Sequence, residues 1–201
     1  MTAEPILSLT ERQEARRRRL IRSAISLASD GGYEAVQMRA VATDAGMALG
    51  TIYRYFASKD HLLAAAMAEW TAELQMRMAE HPPAGGTRTE RMIDVYRRAC
   101  RAMERQPQLT AALMTAIAAP ADPGVDASAT EVRARIGAMT AGILDDLDPE
   151  VREGVVSVLG HVWHSTLLAW ANGQRGFGFV TGELERAIRL LLVHYEEEET
   201  R

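Results

Sequence analysis

Between positions 39 and 59 the chain gathers Arg39, Leu49, Gly50, Thr51, Tyr53, Arg54, Tyr55 and Lys59. Their chemistry is that of non-covalent recognition. Guanidinium and ammonium groups pair with phosphate oxygens, and hydroxyls reach phosphates or the polar edges of bases. An aliphatic side chain suits a thymine methyl, and a glycine lets a backbone come close. Together they fit the major groove of double-stranded DNA.

Bond-breaking chemistry has no comparable set. The histidines stand at 61, 81, 161, 164 and 194. His161 and His164 can share a helix face, but no cysteine or carboxylate nearby completes the three protein ligands that zinc wants. They read as structural or as lining a pocket. Gly173, Gly176 and Gly178 fit neither the dinucleotide nor the P-loop spacing. Cys100, the only cysteine, has no base partner and reads as a small buried apolar residue. The sequence therefore predicts no catalytic residue, no metal site and no cofactor.

The elements that must position the recognition residues are two short helices joined by a sharp turn. Gly46 can take the left-handed conformation that such a turn needs. Ala42, one helical turn earlier, lets the second helix cross close by, and Ile52 falls where that helix must bury an apolar side chain. This spacing is the signature of a helix-turn-helix. The second helix, about Ala48 to Tyr55, then presents Leu49, Gly50, Thr51, Tyr53 and Arg54 outward. An ordinary helical hairpin with exposed tyrosines is the competing reading.

The net charge of −4 fits DNA only once it is divided. Residues 1–60 carry 9 Arg/Lys and 7 Asp/Glu, a net of +2, and residues 61–201 carry 14 and 20, a net of −6. An acidic body with a mildly basic head orients head-first on DNA. The single cysteine excludes an internal disulfide framework and fits a reducing cytoplasm. No apolar run reaches the roughly 18 residues of a membrane span, and the N-terminus lacks a signal-peptide core. A cytoplasmic protein with no membrane contact is expected.

Taken in order, residues 1–9 read as a loose arm. A first helix runs from Thr10 to Ser29 and ends at Gly31 and Gly32, with Arg16 to Arg19 on its N-terminal half as candidate phosphate contacts. Ser58 caps a long fourth helix over Lys59 to Glu80, and Lys59 in its first turn lies where the helix dipole favours an anion. A capping box from Thr87 to Glu90 opens a fifth. A sixth covers Pro107 to Ala118. Ala119 to Gly124 reads as a loop and Asp126 to Asp146 as a seventh helix. Asp148 and Pro149 start an eighth that ends at Ala171. Asn172 to Gly178 reads as a glycine-rich connection, Thr181 to Tyr195 as a ninth helix, and Glu196 to Glu199 as an acidic tail. The fold class is all-α.

After the fourth helix, apolar and flexible side chains accumulate: Met92, Tyr96, Met103, Leu113, Met114, Ile117 and Met139, with Trp163 and Leu167 on the eighth helix. Most must be core. Methionine-rich interiors also deform readily and line apolar ligand cavities. These residues are the candidate contacts for a hydrophobic small molecule. Two long apolar helices at the end of a small protein point to a dimer interface.

The block GGYEAVQMRAVATDAGMALGTIYRYFASKDHLL, residues 31–63, resembles the TetR family of one-component bacterial repressors. That resemblance implies a three-helix DNA-binding domain over 1–57 and a six-helix effector-binding and dimerisation domain over 58–201. It also implies a homodimer through helices eight and nine, a pseudo-palindromic operator and an effector held among helices four to eight. It places Thr51, Tyr53, Tyr55 and Lys59 on DNA, with Arg39 one helix earlier. Residues 102–116 and 162–170 are similar to a sterol-catabolism branch of that family. This implies a steroid acyl-CoA thioester or related lipid as effector, with a fatty acyl-CoA or another lipophile as the alternative. A helical lipid carrier is the rival from another class.

Overall fold

The structure, a computed structural model, describes residues 9–118 and 122–197. Among the described residues there are nine helices: α1 (Leu9–Ala35), α2 (Met38–Asp44), α3 (Leu49–Ile52), α4 (Lys59–Glu80), α5 (Arg88–Glu104), α6 (Pro107–Ile117), α7 (Pro123–Ala141), α8 (Pro149–Ala171) and α9 (Phe177–Glu197). No strand occurs among them, so the all-α expectation holds. The expected arm lies outside the described residues apart from Leu9, which opens α1; the end of the acidic tail lies outside them too.

Gly32 breaks α1. Its φ of 67° and ψ of −161° are non-helical, and Tyr33 to Ala35 continue beyond the kink. Ahead of it, Leu20, Ile21, Ala24 and Ala28 are fully buried and hold α1 against α2, α4 and α6. The predicted starts of α4, α5, α6 and α8 are observed, and those of α4, α5 and α8 carry side-chain caps at Ser58, Thr87 and Asp148. Ser58 accepts from the His61 amide at 3.0 Å. Thr87 and Glu90 complete their reciprocal capping box.

Three boundaries differ from expectation. The helix of the turn motif is shorter: α3 stops at Ile52, and the amides of Arg54 and Tyr55 donate three residues back, to Thr51 and Ile52, in a tightened last turn. α7 begins at Pro123 because Asp122 caps it, accepting from the Gly124 amide at 2.8 Å, and it ends at Ala141 before a run of turns. α9 begins at Phe177 because Phe177 and Val180 are buried and Phe177 packs edge-on against Trp170. That burial repays a helical turn which a glycine-rich composition disfavours.

α4 is the central element. It packs against α1, α6 and α7, while α5 and α8 pack against α9. No described helix is long and apolar enough to cross a membrane.

Candidate functional site

The head is built on the left-handed turn. Gly46 has φ 65°, the Met47 amide donates to the Ala42 carbonyl at 2.8 Å, and Ala42, Ala45 and Ile52 are buried. α3 is thereby pinned across α2 with one face in the core. The other face carries Gly50, Tyr53 and Arg54, all exposed, with Thr51 half-buried beside them. Tyr53 is 53% exposed, unusually high for so large an apolar ring. Leu49 and Tyr55 are half-buried and pack on the core, which corrects the fully outward placement expected for Leu49. Arg39 is exposed on α2.

Gly50 is informative by contrast with Gly46. A Cβ at position 50 would meet open space, and the backbone there is not left-handed. Nothing within the folded head requires glycine.

The described cations divide into exposed and engaged. Arg12, Arg16, Arg18 and Arg19 are exposed along α1. Arg17 instead turns inward, pairing with Glu69 of α4 at 3.3 Å and lying 5.6 Å from the Phe56 ring centroid. Lys59 is held over the Tyr33 ring, 3.6 Å from its centroid, and donates to the Tyr33 carbonyl. The Tyr33 hydroxyl donates to Asp60 at 2.6 Å. Burial, then this hydrogen bond to a carboxylate, push the Tyr33 phenol up to about 12.

Two hydrogen-bonded joints lie at the junction of head and body, one at the cap of α4 and one on the end of α1. The Ser58 hydroxyl, which caps α4, donates to Asp122, which caps α7, at 2.7 Å. That bond and the Gly124 amide hold the Asp122 carboxyl below its usual range. Beside it, Gly124 of α7 lies so close to the His61 ring of α4 that a Cβ would fall 2.5 Å from it. With its amide oriented to match its neighbours, Gln108 at the start of α6 donates to the Ser29 and Asp30 carbonyls at 2.9 and 2.8 Å. Those carbonyls close α1 before its kink.

The body holds a cavity of about 790 Å³. Met67, Trp70, Thr71 and Leu74 of α4 form one wall, with Val125, Val132 and Ile136 of α7 and Val156, Trp163 and Leu167 of α8 opposite. Of the residues expected there, Met103, Met114, Ile117, Met139, Trp163 and Leu167 line it. Met92, Tyr96 and Leu113 do not. They are buried in the core, with α5 packed against α9 and α6 against its neighbours, and do not reach the cavity. The α4 wall and the polar residues Asp126, Arg133, Arg152 and Glu153 also line it, beyond the sequence-based expectation, together with His161 and His164, which that expectation leaves as structural or pocket-lining. No group of three potential metal ligands occurs among the described residues. Cys100 is buried, and burial pushes its thiol up to about 11.

A helix-turn-helix head on an all-helical body defines a class: helix-turn-helix transcriptional regulators. Residues 20–66 match the family model of bacterial regulatory proteins of the tetR family, and residues 85–191 match the tetracyclin repressor-like C-terminal domain. The chain belongs to the TetR family. It is 40% identical over 181 residues to the HTH-type transcriptional repressor KstR of Rhodococcus jostii, covering 90% of this chain and 84% of that protein. It is 38% identical over 184 residues to KstR of Mycolicibacterium smegmatis, covering 91% and 90%. Among solved structures, a TetR transcriptional regulator from Rhodococcus sp. RHA1 superposes with a TM-score of 0.81 at 28% identity, covering 91% of this chain and 98% of that one. The Thermus thermophilus repressor FadR, in complex with lauroyl-CoA, shares the fold with a TM-score of 0.70 at 22% identity, covering 88% and 93%.

Proposed function

We propose that the protein is a transcriptional repressor that binds a pseudo-palindromic operator as a dimer and leaves it when a hydrophobic effector fills the cavity. The observation that carries this reading is the double role of α4. Its N-terminal cap abuts the recognition segment, and its middle walls the cavity. The DNA-contacting set is Arg39, Leu49, Gly50, Thr51, Tyr53, Arg54, Tyr55 and Lys59, with Lys59 having to leave the Tyr33 ring or act from it. The head spans residues 1–57 and hands over to the body at Ser58.

The effector is a bulky lipid, and a steroid-ring acyl-CoA thioester fits the identity shared with KstR. A cavity of about 790 Å³ lies within the roughly 300–1,000 Å³ usual for drug-sized ligands, enough for the lipid part alone. A CoA moiety would extend past the polar group on α7 and α8, where Arg133, Arg152, His161 and His164 could meet its phosphates. The fatty acyl-CoA reading draws on the deformable wall of Met67, Met103, Met114 and Met139 and on the lauroyl-CoA complex of the FadR neighbour.

The test is a fluorescence-anisotropy titration against DNA from upstream of the protein's own gene, with scrambled DNA as control. It is repeated with a steroid acyl-CoA and with a fatty acyl-CoA. Tight, sequence-specific binding released by the steroid thioester alone is the expected result. Release by the fatty thioester alone moves the assignment to that class. Binding that depends on salt but not on sequence overturns the repressor reading in favour of a lipid carrier.

A further inference from the structure

Lys59 is the only lysine of the chain; arginine supplies all the other permanent cations. It opens α4, half-buried, beside the equally half-buried Tyr33 of the segment beyond the α1 kink. Its Nζ lies 3.6 Å from the centroid of the Tyr33 ring and donates to the Tyr33 carbonyl at 3.3 Å. Asp60 is its neighbour in sequence, yet no carboxylate pairs with Lys59 among the described residues. Asp60 accepts instead from the Tyr33 hydroxyl at 2.6 Å. One tyrosine thus holds two consecutive residues of α4, the cation on its ring face and the acid at its tip.

An ammonium has three donors. The carbonyl takes one, and the negative face of the ring accommodates another. The third remains. The ring and the carbonyl are neutral, so the positive charge stays available to an anion. Arg17 is the contrast, its charge spent on Glu69. A lysine in water has many rotamers to lose when it meets a phosphate, and the Tyr33 cradle removes much of that freedom beforehand. The hydroxyl has its own part: while it engages Asp60, that carboxylate is kept from the ammonium next door. We propose that Tyr33 is the positioning residue for the DNA contact of Lys59. Its ring and carbonyl fix the ammonium, its hydroxyl keeps Asp60 from neutralising it, and Lys59 meets a backbone phosphate from the ring rather than by leaving it. The assignment rests on reading Lys59 as a DNA contact.

The experiment uses the full-length protein and DNA from upstream of its own gene, titrated at several salt concentrations. The single lysine supplies a second readout: protein labelled with carbon-13 lysine gives one ε-methylene signal, which needs no further assignment. That signal is expected upfield, in the ring current of Tyr33, and to stay upfield on the operator. Tyr33→Leu should return it to the ordinary position and lower operator affinity several-fold, with the slope of log affinity against log salt shallower by about 1 for each head. In a Lys59→Met background, Tyr33→Leu should cost nothing further. Tyr33→Phe, which keeps the ring and the fold, should hold the signal upfield and still weaken binding. Adding Asp60→Asn to it should raise affinity by a larger factor than Asp60→Asn raises the parent's. An equal loss from Tyr33→Leu in both backgrounds overturns the positioning role and makes Tyr33 plain support for the head. Undiminished binding by Tyr33→Phe overturns the part given to the hydroxyl. A signal that moves to the ordinary position on the operator means that Lys59 leaves the ring, and overturns the cradle. Lys59→Met with parental affinity and salt slope overturns the contact and its positioning together, and leaves the repressor standing. Only a parent protein without sequence-specific binding overturns the repressor reading as well.

Discussion

Gly46 and Gly50 lie four positions apart and answer to different demands. At Gly46 the positive φ of 65° is imposed by the turn, and a side chain there is strained by roughly 1–2 kcal/mol. Gly46→Ala is expected to lower stability by about that much in a denaturant titration, with DNA affinity falling only because the head is less populated. At Gly50 the fold imposes nothing, and alanine is the better helix former by up to about 1 kcal/mol. Gly50→Ala is therefore expected to stabilise the protein slightly while weakening operator binding, because the methyl stands where the DNA approaches. Unchanged operator affinity would show that this backbone does not come close to DNA. Tyr53→Ala should weaken operator binding without unfolding, since its ring is mostly exposed. His61 adds a pH dependence. Burial lowers its pKa from 6.5, with Arg17 adding to the effect and Asp122 opposing it, and its Nδ1 accepts from the Ala57 amide. The folded value lies below the unfolded one, so in the window between them the unfolded chain binds the extra proton. Stability is present above pH 6.5 and declines as the pH falls below it. Melting temperatures across that window should show the decline, and His61→Gln should make it shallower.

At the scale of elements, the question is how a cavity walled by α4 and α7 is felt by α3. The Ser58–Asp122 hydrogen bond joins two N-caps, one on each wall helix, and the Gln108 amide joins α6 to the end of α1. If α7 moves as the cavity fills, the cap of α4 moves with it. Asp122→Ser keeps a residue able to cap α7 but is too short to hold Ser58. The variant should bind operator and acyl-CoA separately, yet lose several-fold of the 5–150-fold coupling typical between linked sites. Operator titrations with and without acyl-CoA measure this, and undiminished release would remove the joint from the pathway. These joints were only half legible in the sequence. Asp148 and Pro149 announced α8, but the same Asp-Pro signal at Asp122 and Pro123 was masked by its surroundings of alanine, proline and glycine and read as loop. The turn motif was legible because Ala42, Gly46 and Ile52 are each dictated by local geometry. The cavity was legible only in part. Apolar periodicity tells which face of a helix is buried, and cannot tell whether it closes on a neighbour, as at Met92 and Leu113, or on open space, as at Trp70 and Leu74. Tertiary spacing decides that.

For the whole molecule, the division of charge and the exposed apolar residues point to one arrangement. The head carries the net positive charge, and the exposed arginines of α1 lie on it; an acidic body repelled by DNA would keep the head foremost. At the other end of the chain, Val158 of α8 and Phe179, Leu190 and Val193 of α9 remain exposed, Leu190 at 70%. Isolated exposed apolar residues are ordinary, but four on two adjacent helices are what a two-fold interface with a second copy would cover. A single head has only the four residues of α3 and its short last turn to offer a groove, too little for tight specific binding. Two heads joined in a dimer would convert the second contact into an intramolecular one, worth about 10²–10⁴ in avidity. Leu190→Glu places a charge in the middle of that face while leaving the monomer's core untouched. It should yield a folded monomer by sedimentation, with operator affinity down by on the order of a hundredfold. Its binding should also depend less steeply on salt, because the slope of log affinity against log salt scales with the number of phosphates engaged. A Leu190→Glu protein that sediments as a dimer would place the interface elsewhere. A monomer that still binds the full operator as tightly as the parent would mean that one head suffices and that the pseudo-palindrome is not what the protein reads.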